Sequence, residues 1–419
     1  MGDFMEFSLA FNGDIELIQK ANSINLIECY FGTASQNPVG SGRPVSQMAN
    51  VDRRGIEDAV RLAHSAGKKF NYLVNAACMG NMEYTGKKLN QIIEQFDWLV
   101  SAQVDMVTLA NPVLIDLCRK RYPNLKISVS SFAMVDSIEA AKFYNSLGVH
   151  EITVRNGIER DFRLLEKMQA AISCNLQVMV NQVCLYHCPY QQYHNNVISH
   201  MSQYTVDEKI STNYCTLHCL LQKYREPENL LRSTWCRPED LHFYEEIGIQ
   251  KYKLTDRNKS SSWLLRTADA YCSGKYEGNL SEILNMNHFQ NKQMMHGKHV
   301  SKTDLKTLRS LMQLEIDIDN QKLDGFMEHF LTHSCNLQSC RDCGYCRGFA
   351  QRALRYDAAR LERSYRFWKQ LQRRAWRFEH IGMCEARVGR SRQCNGHERK
   401  GGSGNQADRI CLPIAAHSG

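Results

Sequence analysis

The feature that most constrains this chain is an alternation. Eight short apolar runs recur, starting at Met5, Asn25, Lys69, Val104, Lys126, His150, Asn175 and Lys251. Each is rich in β-branched or aromatic residues, and most end on a polar one, as strands do. Between most of them lie helix-like patterns such as RGIEDAVRLAHSAGKK and TGKKLNQIIEQFDWLVSA. Several of these end at a glycine, as a helix C-cap requires. Repeated about eight times, strand–helix alternation predicts an α/β fold, a parallel (β/α)8 barrel of the TIM type rather than an open sheet. No GxGxxG follows the first run, so a dinucleotide-binding sheet has little support. The expected organisation is a barrel over residues 1–260 with a Cys-rich insertion at 181–240. A helical region with a second cysteine group follows at 261–375, then a Gly-, Arg- and Ser-rich tail at 376–419 that reads as disordered.

Seventeen cysteines are unevenly placed in this chain. The N-terminal stretch MGDFMEFSLAFNGDIELIQ has acidic residues and no basic n-region, so it does not read as a secretory signal. No run of apolar residues is long enough to span a membrane. A cytoplasmic, reducing setting is expected, and there clustered thiols point to metal ligation or catalysis rather than a disulfide framework.

Two Cys-x3-Cys pairs, Cys184/Cys188 and Cys215/Cys219, flank a spacer containing His194 and His200. Four thiolates in two tight pairs can close around one centre. An iron–sulfur cluster of the 4Fe-4S kind is the expected occupant and structural zinc the alternative. The first pair follows the seventh run directly, which puts it at the catalytic mouth of a barrel. The second comes from the insertion before the eighth run and is expected to fold back over that mouth. Cys236, just before the helix start at Pro238, is a spare candidate ligand.

A second group, CNLQSCRDCGYC, contributes Cys335, Cys340, Cys343 and Cys346. Its Cys-x2-Cys-x2-Cys core matches the local spacing of ferredoxin-type sites, with a zinc knuckle as the alternative. One cluster is thus expected, and a second is open. Cys384, Cys394 and Cys411 are isolated and receive no ligand role.

Function in such barrels sits at the C-terminal ends of strands. Those ends supply Asn12, Tyr30, Asn75, Asn111, Ser130, Ser131, Arg155, Asn156, Asn181, Asp256 and Arg257. A rim rich in Asn and Arg suits a polar or anionic ligand, although Asn and Ser in these places also cap helices. Asn75, Arg155, Asn181 and Arg257 are the candidate substrate-binding residues. No HExxH, GxSxG or P-loop is present, and Gln191 breaks the Cys-x3-Cys-x2-Cys signature of radical S-adenosylmethionine enzymes. A Cys–His nucleophile pair could be made from Cys184 with His187 or His194, but ligation competes for the same thiol. The net charge of +8 is concentrated after Arg352. A basic helix there is compatible with RNA or an acidic partner, and equally with a solvated helix face.

The segments YFGTASQNPVGSGRP, FNYLVNAACMGNMEYT, NQVCLYHCPYQQYHNN and WCRPEDLHFYEEIGIQKYKLTDR resemble the collagenase-like peptidase family U32, in a Cys-rich branch. The resemblance runs from Met5 to Arg257 and extends toward Cys346. It implies a barrel-type domain in a family named for proteolysis. Other members hold a 4Fe-4S cluster and support oxygen-independent hydroxylation of quinone precursors or RNA bases, with prephenate implicated as oxygen source. By that resemblance Cys184 and Cys188 match the first cluster ligands, and Cys215 and Cys219 match the later ones. Where other members carry a ligand, this chain has His242, with Cys236 a few residues earlier. The fourth ligand therefore stays open between Cys215, Cys219 and Cys236. The resemblance also implies an electron donor and a sister subunit of the same family as partners. The alternatives are a peptidase and a zinc-stabilised, non-catalytic partner protein.

Overall fold

The computed structural model describes residues 5–30, 37–44, 51–203, 214–286 and 314–376. Eight strands carry the architecture: β1 Glu6–Phe11, β2 Leu26–Tyr30, β3 Lys69–Val74, β4 Met106–Leu109, β5 Lys126–Val129, β6 Glu151–Thr153, β7 Asn175–Met179 and β8 Lys251–Leu254. They are parallel and hydrogen-bonded in sequence order, and β8 pairs with β1 through Glu6 and Lys251, so the sheet closes on itself.

The strands read with period two. Phe70, Tyr72, Val107, Leu109, Ile127, Val129, Leu176, Val178, Tyr252 and Leu254 are buried apolar residues, and the residues between them are often polar. In a barrel the two sets face opposite sides. Part of the polar set is bonded within itself: Asn71 Nδ2 donates to Thr108 Oγ1 at 2.7 Å, and Thr153 Oγ1 donates to Gln177 Oε1 at 2.8 Å.

Helices connect the strands: α1 Ile15–Lys20, α2 Arg53–Ser65, α3 Gly86–Ser101, α4 Pro112–Arg121, α5 Ile138–Ser146 and α6 Phe162–Ala170. Their starts are encoded locally. Asp52 accepts the Gly55 N–H ahead of α2, and Asn111 accepts the Val113 N–H ahead of α4, whose first residue is Pro112. Helix α2 then buries Ile56, Ala59, Val60 and Ala63, the spacing of one helical face.

The crossover from β7 to β8 is the elaborated one. It holds α7 Gln191–Gln203, α8 Tyr214–Arg225, α9 Asn229–Arg232 and α10 His242–Glu245, and α11 Ser261–Ser273 follows β8. After residue 314 the chain makes a two-stranded antiparallel pair, Asp317–Ile318 with Leu354–Arg355, and short helices at His329–Thr332, Cys340–Cys343 and Tyr345–Ala353. Of these, His329–Thr332 packs on α6 and Tyr345–Ala353 on α9. The basic helix Ala358–Trp376 packs on α8 through a face that includes Leu361, Ser364 and Trp368. The tail expected to be disordered lies outside the described residues beyond Trp376.

Candidate metal centre

The mouth of the barrel is built around the exit of β7. Asn181 is fully buried, and its amide is committed to Thr255: Oδ1 accepts the Thr255 N–H at 2.8 Å, and Nδ2 donates to the Thr255 carbonyl. Gln182 comes next. Its Oε1 accepts from Thr255 Oγ1 at 2.9 Å and from Asn285 Nδ2 at 3.0 Å, which fixes the amide and leaves Nε2 to donate to Cys184 Sγ at 3.4 Å. A second amide, Asn156 Nδ2 at the end of β6, reaches the same sulfur at 3.6 Å. Cys184 is thus an oriented thiol with two N–H donors on it.

Helix α8 faces this loop. Cys215, Cys219 and Lys223 stand four residues apart, so one stripe of the helix carries two thiols and an ammonium. Lys223 is buried, and its Nζ donates to the Val183 carbonyl at 2.7 Å, pinning the stripe against the loop that carries Cys184. The four thiols are near enough to feel one another's charge. Cys184 lies in the field of Cys219 and Lys223, Cys188 in that of Cys219, Lys223 and Arg155, and Cys215 in that of Cys188 and Cys219. Burial first, then the neighbouring sulfur, pushes Cys184 and Cys215 up to about 11 and raises Cys188. Such a set ionises together only if a cation offsets the charge, which a metal does. A single zinc ion with Zn–S near 2.3 Å draws its sulfurs to about 3.8 Å from one another. Among the described residues, no three of these four sulfurs fall within 4.8 Å of each other.

Helix α7 lies across the mouth. Ser199 Oγ accepts the Ala77 N–H at 2.8 Å, and Ser202 Oγ accepts the Ser41 N–H at 2.8 Å. At the β8 end, Arg43 stands 3.8 Å from Asp256, with Arg257 and Lys259 also close. Burial would raise the Asp256 carboxyl, but these three cations hold it below the usual range. The cluster is net positive.

The C-terminal thiols do not all point the same way. Cys335, Cys340 and Cys346 line one cavity together with Arg160 and Tyr186, whereas Cys343 lines a different cleft. Arg160 is buried and donates to the carbonyls of Leu231 and Trp235 at 2.5–3.2 Å. Its guanidinium also sits over the rings of Trp235, Phe326 and Phe330. Among the described residues no carboxylate lies at ion-pair distance from it, and Cys346 and Cys335 are among the groups that favour its charge. A thiolate-bound metal centre is the kind of anion that offsets a buried guanidinium. The two thiol sites adjoin. Tyr186, between Cys184 and Cys188, donates to Asn336 Oδ1 at 3.2 Å, beside Cys335.

Comparison with known proteins adds a family. The peptidase family U32 model matches residues 30–335. The chain belongs to this family. A U32 match over that range takes in the whole barrel-mouth quartet and stops short of Cys340, Cys343 and Cys346. The chain is 29% identical over 357 residues to the uncharacterized protease MJ1657 of Methanocaldococcus jannaschii, covering 84% of this chain and 97% of that one. It is 24% identical over 170 residues to tRNA hydroxylation protein P of Haemophilus influenzae, covering 40% of this chain and 35% of that one. Among solved structures, the U32 peptidase Mk0906 aligns over 61% of this chain and 94% of its own, at 18% identity and a TM-score of 0.48.

Within this U32 chain the four candidate substrate-binding residues have different placements. Asn75 is buried; its Oδ1 accepts the Gly42 N–H at 2.9 Å and its Nδ2 donates to Ser130 Oγ at 2.9 Å. Like Asn181, it braces backbone. Arg155 is held by Asp136 at 2.5 Å and Gln191 at 3.0 Å, beside Cys188. Arg257 is buried in the cationic cluster at Asp256. Cys236 sits in the apolar core, its Sγ donating to the Arg237 carbonyl at 3.2 Å, with Asp240, Arg160 and Arg237 as its charged neighbours. His242 is exposed, with Nδ1 against the Glu239 carbonyl. Sequence reasoning missed Gln182, Lys223, Arg43 and Arg160. Only Lys223 had a readable signal, the four-residue spacing shared with Cys215 and Cys219.

Proposed function

We propose that this U32 protein is an iron–sulfur enzyme of a reducing, cytoplasmic setting, with a 4Fe-4S cluster held by Cys184, Cys188, Cys215 and Cys219. The observation that carries the reading is that Lys223 pins α8 against the loop after β7, so that the thiols of both elements lie within one another's electrostatic reach at the C-terminal end of a parallel barrel. Bound there, the cluster would supply one-electron chemistry beside the substrate site. Asn156 and Gln182 direct their N–H groups at Cys184 and so raise the reduction potential by stabilising the more negative state. Lys223 acts in the same sense. Arg155, oriented by Asp136 and Gln191, and the cluster of Arg43, Arg257 and Lys259 receive an anionic co-substrate by charge-assisted hydrogen bonds. Asn75 and Asn181 position the loops that carry these groups. Helix α7 screens the mouth from water.

The reaction class is an oxidative tailoring step, a hydroxylation whose oxygen comes from the co-substrate and not from dioxygen. The similarity to a tRNA hydroxylation protein supports this and favours an RNA base as acceptor. A metal centre held by the thiols around Arg160 would serve as a relay from an external electron donor or as a structural staple. A sister U32 subunit is the expected partner.

A peptidase is the second reading, favoured by the similarity to a protein named as a protease. It needs a general base. Burial and Arg43 push His194, an imidazole on α7, down to about 4, which is weak for that role near neutral pH.

The reading is tested by deleting the gene and comparing tRNA nucleosides from cells grown without oxygen. A hydroxylated nucleoside is expected to disappear, to return with the wild-type chain and not to return with Cys184→Ser. Peptide cleavage by the purified chain that Cys184→Ser leaves intact, with no nucleoside change, would overturn it.

A further inference from the structure

We propose that His329, His333 and Cys343 form a zinc site, separate from the thiols around Arg160, with its fourth coordination position facing an open cleft. The inference goes beyond the iron–sulfur reading and holds whether or not the barrel thiols carry iron.

The ligand atoms of these three residues all lie within 4.8 Å of one another. One ion with bonds of about 2.0–2.3 Å to nitrogen and sulfur would draw them together with only a small adjustment. The geometry has a local cause. His329 opens the helical turn His329–Thr332, and His333, which caps it, donates its N–H to the His329 carbonyl at 3.0 Å, so the two imidazoles stand one turn apart and their rings stack with centroids 4.3 Å apart. Cys343 ends the helix Cys340–Cys343, and Gly344 follows with φ 66°. That left-handed residue reverses the chain. Cys343 therefore faces the histidines, while Cys346, on the next helix, faces Arg160.

Two further observations point to a ligand. His329 Nε2 is buried with no hydrogen-bond partner, a cost that a metal would remove. The Tyr345 ring stacks on His329 at 3.9 Å, and its hydroxyl donates to the Phe326 carbonyl at 3.1 Å, so the imidazole is held in place before any ion arrives. Two neutral imidazoles and one thiolate are a borderline-soft donor set, which suits zinc better than magnesium or calcium. The cleft beside them is open enough for water at the fourth position. Cys343 lies beyond the residues that match the U32 model, and the two histidines fall at its very end.

The test uses the full chain, purified without oxygen, with zinc and iron counted per chain. It is then stripped with a chelator and reloaded with cobalt(II) alone. The wild type is expected to hold about one zinc and, with cobalt, to show tetrahedral ligand-field bands and a thiolate charge-transfer band. His333→Ala and Cys343→Ser are expected to lose the zinc and keep the iron of the wild type. His333→Cys, which preserves a ligand, is expected to retain zinc and controls for misfolding. Wild-type protein that binds neither zinc nor cobalt would overturn the proposal. So would zinc retained in both variants, or loss of iron in Cys343→Ser matching that in Cys346→Ser while His333→Ala changes nothing.

Discussion

The barrel-mouth thiols and the C-terminal thiols look alike as strings of cysteine but are built differently. At the mouth, Cys184 follows a strand and Cys215 and Cys219 ride a twelve-residue helix, and Lys223 clamps the two elements together. The barrel itself sets where those sulfurs sit. The C-terminal thiols lie on a 3-10 turn and two helices, with a left-handed glycine between Cys343 and Cys346. Their direction is set by local turns and by Arg160. The first arrangement holds its thiols on two elements clamped together, and the second divides between two cavities. Spacing of cysteines predicts a shared centre only when the intervening backbone keeps one direction.

The largest effect expected is at the mouth. Cys219→Ser should abolish the iron of the first centre and the visible absorption that goes with it, while leaving the metal at the C-terminal thiols. Iron and sulfide analysis of the variant beside Cys346→Ser checks this. If either substitution empties both sites, the two regions are one cooperative unit and the comparison fails.

Arg160→Met keeps the apolar stem but removes the hydrogen bonds to the Leu231 and Trp235 carbonyls. The loss is expected to be roughly 3–5 kcal/mol, since buried acceptors are left without a charged donor. It should fall on the C-terminal segment first. Hydrogen exchange would show faster exchange at residues 326–350 than at the barrel strands. Equal exchange throughout would mean that the segment is not held through this residue.

Glu159 gives a pH test. It is fully buried and accepts from Thr234 Oγ1 and the Gly157 N–H, and burial pushes its carboxyl up to about 7. A carboxyl whose value is raised on folding favours the folded state below its unfolded value and loses that advantage as pH rises through the folded one. The stability of the wild type should therefore fall by about 3 kcal/mol between roughly pH 4.5 and 7 from this group alone. Glu159→Gln should flatten that slope. Denaturant midpoints at pH 5 and pH 8 for the two proteins measure it, and parallel slopes would contradict the assignment.

The smallest effect concerns tuning. Gln182→Leu removes one amide donor from Cys184 Sγ. A hydrogen bond of about 1 kcal/mol corresponds to about 40 mV for a one-electron couple. A redox titration should find the potential lower by that order, with the iron content unchanged.

Much of this was legible in the sequence, for reasons that can be named. The strand–helix alternation reports burial pattern directly, so the eight runs and their parallel order could be read. Cys184 could be expected at the mouth because it follows a strand, and Cys215 and Cys219 because their insertion lies between the seventh and eighth runs and can fold back over it. The roles of Asn75 and Asn181 were not legible. An asparagine at a strand end looks the same whether it meets a substrate or braces a backbone, and here the Gly42 and Thr255 backbones take both amides. Arg160 was hidden because its partners, Leu231, Trp235, Phe326 and Phe330, lie far along the chain. The division of the C-terminal thiols was hidden for a more local reason, the sign of φ at Gly344.

The central claim is that the four barrel-mouth thiols hold an iron–sulfur cluster. The most direct measurement is anaerobic purification of the wild type and Cys184→Ser, with iron, acid-labile sulfide and zinc counted per chain and the visible spectrum taken before and after dithionite. The account predicts iron and sulfide in equal amounts, about four of each for the mouth centre, absent from Cys184→Ser, with a broad absorption that bleaches on reduction. Zinc in place of iron at the same four thiols, without sulfide and lost in Cys184→Ser, would contradict it.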